Sequence, residues 1–228
     1  MNTSVPALYV LKVQLMENRT TVKEFLLVGF QNLHHFRIPF FILLIITYSA
    51  SVAGNLLICA LVSSSHHLQS AMYFFLGHLS VSDILISSTI APNALKVILK
   101  GTCSIPVRQC AIQLYFYGAS VIAECCLLTV MSYDRYLAIC KPLHYSSIMR
   151  SRFPHYLVIW CWVAGFGISM IAHVLVLELD FCGPNVIDHF LCDVAPLLEL
   201  ACSDITNVQI EVSVVTILLG LFQFFFVL

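Results

Sequence analysis

Five long stretches of this chain carry almost no charge, at about 39–63, 72–99, 109–140, 155–177 and 208–228. An apolar run of about 20 residues is enough for a helix to cross a bilayer, so each stretch predicts a membrane-spanning helix. The third can be phased further. Tyr117, Gly118, Val121, Ile122 and Cys125 recur at helical spacing and share one face. Arg135 follows Tyr117 by five turns, which puts the two about 27 Å apart on that same face. One face can therefore carry a contact near one end of the helix and a switch near the other, although such a stripe is also what ordinary interhelical packing looks like. The fifth stretch runs to Leu228 with no polar tail, and five is an odd number at which to end a helical bundle.

Composition agrees with a membrane protein. Hydrophobic residues make up 60% of the chain, charged residues 10%, and mean hydropathy is +0.92. A soluble domain carries about 25% charged residues. The formal net charge of −1 argues against nucleic acid as a partner, which calls for a clustered basic surface. The expected surroundings are membrane lipid. No nucleophile signature and no glycine-rich phosphate loop is present, so an enzyme is not expected. A transporter half would show an internal repeat and paired broken helices, and neither is visible.

Residues 1–38 read as a segment outside the membrane. Residues 1–15 look like an extension before a second natural start at Met16, and they lack the long apolar run and small-residue cleavage site of a signal peptide. A lysine and arginine count does not orient the chain by the usual positive-inside bias. With the amino terminus outside, seven lie there (Lys12, Arg19, Lys23, Arg37, Lys96, Lys100, Arg108) and four inside (Arg135, Lys141, Arg150, Arg152). Two features favour that orientation nonetheless. Asn18-Arg-Thr20 is a glycosylation acceptor, useful only on the lumenal side. Cys182, Cys192 and Cys202 punctuate the polar segment 178–207, and disulfides persist only in oxidising compartments. With Cys110 at the start of the third stretch they make four cysteines, for which sequence allows three pairings. His189, Cys192 and Asp193 also offer a nitrogen, a sulfur and an oxygen at metal-like spacing, provided that Cys192 is free. Segment 178–207 is expected to be a long loop without a regular ladder of its own.

Ionisable groups inside hydrocarbon cost about 3 kcal/mol or more and are functional candidates by default. Asn55, Asp83 and Glu124 are the polar residues singled out in the first three stretches. They serve either as a sodium or proton site or as hydrogen-bonding anchors of helix register. His78 and His173 read as packing residues.

The third stretch ends in Met131-Ser-Tyr-Asp-Arg-Tyr-Leu-Ala-Ile-Cys-Lys-Pro-Leu-His-Tyr145. This block resembles the cytoplasmic end of the third helix in vertebrate odorant (olfactory) receptors, which are rhodopsin-like G-protein-coupled receptors. Glu24-Phe-Leu-Leu-Val-Gly-Phe30, Met72-Tyr-Phe-Phe-Leu76, Trp162, Phe181-Cys-Gly-Pro through Leu-Cys-Asp193 and Leu200-Ala-Cys-Ser-Asp204 resemble the same family. Ala71, Ser132 and Leu137 depart from its usual proline, alanine and valine. The resemblance implies an all-α membrane protein, a rhodopsin-like bundle of which five of seven helices are present. It implies disulfides Cys110–Cys192 and Cys182–Cys202, and a pocket for a small hydrophobic volatile lined by Tyr117, Gly118, Val121 and Ile122. It implies that Asn55, Asp83 and Glu124 face one another in mid-bundle. Asp134, Arg135 and Tyr136 would form a switch in which Asp134 latches Arg135 until a heterotrimeric, stimulatory G protein is engaged. The expected place is the plasma membrane, multi-pass, with the amino terminus extracellular and no cofactor beyond a sodium ion. The resemblance implies an odorant-detecting receptor that activates a stimulatory G protein; the family's sixth and seventh helices are absent from the chain, which counts against signalling by these 228 residues themselves. The alternative expectation is a non-signalling membrane fragment or pseudogene product.

Overall fold

The computed structural model describes residues 22–29, 36–64, 70–149, 152–182 and 185–227. The five apolar stretches fold into five long helices. They are α1 (Arg37–Ser64), α2 (Ala71–Lys100), α3 (Val107–Cys140), α5 (Phe153–Leu177) and α7 (Thr206–Val227), with short helices α4 (Pro142–Met149) and α6 (Val194–Leu200). Each long helix is apolar and long enough to cross a membrane, and the molecule is a multi-pass helical membrane bundle.

Burial within the bundle is uneven. None of the apolar window of α1 is buried, whereas 44% of that of α3 is. α3 is the hub, packed against α2, α5, α7 and α4. Without a hydrophobic drive between helices in lipid, close approach depends on small residues. Gly165 supplies it between α3 and α5: a Cβ there would stand 2.5 Å from the Ala119 carbonyl oxygen and 3.2 Å from the Ala123 Cβ. Ser82 Oγ donates to the Ser120 carbonyl at 2.8 Å and ties α2 to α3. α2 contains Pro92 and stops at Gly101, which adopts φ +80° and donates its N–H to the Val97 carbonyl at 2.7 Å. That left-handed stop is the conformation in which glycine meets no Cβ penalty.

Two apolar cores form. One lies among α2, α3 and α5, around Phe75, Leu127, Met131, Val158 and Cys161. The other caps the opposite end of the bundle and includes Phe25, Leu27, Ile105, Cys110, Ile187, Cys192 and Leu197. The cap also holds a small sheet that the helical pattern did not announce, of order β2-β1-β3, from β1 (Glu24–Leu27), β2 (Cys103–Pro106) and β3 (Val186–Ile187). β1 pairs antiparallel with β2, Phe25 opposite Ile105, and parallel with β3, Leu26 opposite Val186. Side chains alternate across a strand, so Phe25 and Leu27 go inward at 1% and 0% exposure while Glu24 stays out.

Segment 178–207 departs from the expectation of an unlatticed loop. It contributes β3 to the sheet and α6 to the cap, and Phe181 bridges Ala201. The physical reason is local. Asp193 caps α6, its side chain accepting from the Val194 N–H at 2.7 Å, and β1 offers backbone partners such as Leu26 N–H to the Asn185 carbonyl at 2.7 Å.

Candidate functional site

Two disulfides fasten the cap. Cys110 joins Cys192 with Cα atoms 5.5 Å apart, and Cys182 joins Cys202 with Cα atoms 5.9 Å apart. The first pins the middle of segment 178–207 to the first turn of α3. It also occupies the sulfur of the alternative His189, Cys192 and Asp193 metal reading. Cys103 is a free thiol beside the cap.

Beneath the cap lies a cavity of about 220 Å³ bounded by α3, α5, α7 and the Asp193–Val194 corner. Tyr117, Gly118, Val121 and Ile122 all line it, as one helical face must when its period is about 3.6 residues. Gly118 has a second role. A Cβ there would meet Ser169 Oγ at 2.9 Å, and that hydroxyl donates to the Tyr115 carbonyl at 2.8 Å. The wall opposite α3 was not assigned from sequence: Ser169 and His173 from α5, Asp193 from the cap, and Glu211, Val215 and Thr216 from α7. His173, read as a packing residue, packs against Tyr115 with ring centres 5.4 Å apart and also lines the cavity. Its Nδ1 lies 3.1 Å from the Ala111 carbonyl, which only accepts, so Nδ1 carries the proton. An ionisable residue inside an apolar run was the signal available for His173 and Glu211.

At the other end of α3, Asp134 is buried at 2% exposure and accepts a hydrogen bond from Tyr145 Oη at 3.0 Å. Tyr145 belongs to α4, which turns back beneath α3, and was not assigned a role from sequence. Burial first, and then the Asp134 hydrogen bond and charge, push the Tyr145 phenol above its ordinary value. Arg135 follows Asp134 on the same helix. It lines a second, wider groove of about 500 Å³ between α3 and α7, with Met131, Gly220, Gln223 and Phe224. Tyr136 faces away, half exposed.

Of the mid-bundle polar residues, Asp83 stands on α2 and Glu124 on α3, helices that pack against each other. Asn55 donates Nδ2 to Ser51 of its own helix at 3.1 Å and makes no hydrogen bond to either acid. His78 accepts from Trp162 Nε1 at 3.4 Å, linking α2 to α5. Asn18, the glycosylation candidate, and Arg150 lie outside the described residues.

The membrane bundle thus combines a disulfide-pinned cap, a small cavity beneath it and a buried acid next to an arginine at the far end of the same helix. Residues 54–228 match the model of the 7 transmembrane receptor (rhodopsin family). Human olfactory receptor 6C75 is 44% identical over 189 residues, covering 83% of this chain and 61% of that protein. Human olfactory receptor 6B1 is 40% identical over 210 residues, 92% of this chain and 68% of that protein. Human olfactory receptor 6C3 is 45% identical over 187 residues, 82% of this chain and 60% of that protein. The chain belongs to the olfactory receptors of the rhodopsin family. It spans about three fifths of the length of most of these curated relatives.

Proposed function

We propose that this chain is the odorant-binding part of a receptor that takes small hydrophobic volatiles in the cavity beneath the cap and acts on a stimulatory heterotrimeric G protein at the Arg135 end. It would sit in the plasma membrane with its amino terminus and cap outside and Asn18 glycosylated. The observation that carries the reading is the cavity itself. Tyr117, Gly118, Val121 and Ile122 line it on the helix whose opposite end holds Asp134 and Arg135. A ligand that shifts α3 against α5 or α7 bears on both ends, because α3 touches every other long helix that frames the site. Asp134 would be the latch, held in this conformation by Tyr145, and Arg135 would be the group offered to the G protein. A sodium ion, if bound, would be held by Asp83 and Glu124, hard oxygen donors of the right kind for it.

The experiment is a cyclic-AMP assay in cells that express the chain, run against a panel of small volatiles with Val121→Trp as the control. A response abolished by Val121→Trp with surface expression intact supports the reading. Binding to purified protein without any cyclic-AMP response would keep the cavity and remove the transducing role.

A further inference from the structure

The charges on the cavity wall are one-sided. Asp193 enters it from the cap and Glu211 from α7, and among the described residues no lysine or arginine lines it. The other titratable groups on the wall are Tyr115 and Tyr117 from α3 and His173 from α5, with Glu124 two turns beyond Tyr117 on α3. His173 holds its Nδ1 proton toward the Ala111 carbonyl. Asp193 commits one oxygen to the Val194 N–H, which leaves the other available. Glu211 makes no hydrogen bond or ion pair among the described residues. Both carboxylates are half-buried, and a carboxylate partly withdrawn from water is stabilised by a counter-charge. A metal ion does not fit, since no three His, Cys, Asp or Glu side chains among the described residues converge to hold one.

We propose that the cavity selects a volatile carrying one protonated amine on a small apolar body, with Glu211 and Asp193 holding the ammonium group. The inference rests on reading this cavity as the odorant site and names the chemical class it takes. An alkylammonium ionises like lysine, near 10.4, and is charged at neutral pH. Tyr117 adds an aromatic face, to which cations are attracted. Val121, Ile122 and Leu219 supply the apolar surface for the carbon body. At about 30 Å³ for each water-sized group, a cavity of about 220 Å³ holds roughly seven such groups. A six-carbon amine has that size.

The test is calorimetric titration of the purified full chain, in phosphatidylcholine nanodiscs, with n-hexylamine and with 1-hexanol, which differ only in the head group. The amine is expected to bind at least about tenfold more tightly, the scale of one charge-assisted hydrogen bond. Glu211→Gln and Asp193→Asn are each expected to remove most of that preference while hexanol still binds. Both variants keep size, Asn retains the α6 cap, and hexanol binding reports that the cavity is still formed. Equal affinity of the two probes for the unsubstituted chain overturns the amine inference and leaves the cavity reading standing. An amine preference that survives both substitutions overturns the assignment to these carboxylates. Failure of both probes overturns the inference and the cavity reading together.

Discussion

Single atoms decide several of the contacts that matter here. Tyr145→Phe removes one O–H from the buried Asp134 carboxylate and nothing else from its wall. Hydrogen bonds to charged groups contribute about 1.5–3 kcal/mol, so Tyr145→Phe is expected to lower the melting temperature in detergent by a few degrees. The folded phenol titrates above its unfolded value, so its contribution is present below about pH 10 and fades as pH rises through the folded value. A melting series from pH 8 upward should therefore show the native-to-Phe difference closing only at the alkaline end. Asp204 behaves in the opposite sense. Hydrogen bonds from the Thr206 hydroxyl and N–H hold its carboxyl below the ordinary value. Its contribution to the start of α7 is present above about pH 4 and is lost as pH falls through the folded value. Amide protection factors at the first turn of α7, corrected for the intrinsic pH dependence of exchange, should fall below about pH 4 in the native chain, and Asp204→Ala should show that low protection already at neutral pH. The sequence showed the motif that contains Asp134 but not its partner, because a tyrosine 11 residues downstream reaches it only once α4 has turned back.

Elements meet where small residues allow it. Gly165→Val would force a side chain onto the Ala119 carbonyl and the Ala123 Cβ, both on α3. Overpacking of this kind costs about 1–3 kcal/mol, and the cost here is expected at the upper end because a carbonyl oxygen on a helix cannot move aside. Thermal unfolding of Gly165→Val against Gly167→Val is the comparison, since a Cβ at Gly167 meets nothing within 4 Å. The helices themselves were legible: runs of apolar residues announce spans by length alone, and the α3 face was phased by its own period. The faces of α5 and α7 were not, because scattered polar residues such as His173 and Glu211 in runs otherwise apolar do not set a period that separates the lipid side from the cavity side. For that reason half of the cavity wall, Ser169, His173, Glu211 and Thr216 among it, emerged only from the assembled bundle. The three strands were equally hidden, since β1 and β2 have four residues each and β3 two, too few to show a period.

At the scale of the whole molecule, the cap joins segments far apart in the chain. The Cys110–Cys192 bond closes 82 residues of sequence, and removing a disulfide of a small domain costs about 2–5 kcal/mol. Cys110→Ser is expected to leave the helices in place while exposing 178–207 to protease, which limited proteolysis followed by mass spectrometry would locate. Phe25→Ala empties the middle of the same core, at a cost of about 3–5 kcal/mol, and should open the identical cleavage sites with the disulfide still intact. That coincidence would identify the cap as one cooperative unit.

The middle position of β1 in the cap sheet also sets a timetable for biosynthesis. Glu24–Leu27 is made early, yet one of its neighbours lies at residues 103–106 and the other at residues 186–187. At about 5–20 residues per second, the strand waits roughly ten to thirty seconds for its second partner. Over that interval Phe25 and Leu27 are unprotected apolar side chains on a tether. The strand that emerges first is thus among the last to be seated, and chaperones have their opportunity in that gap.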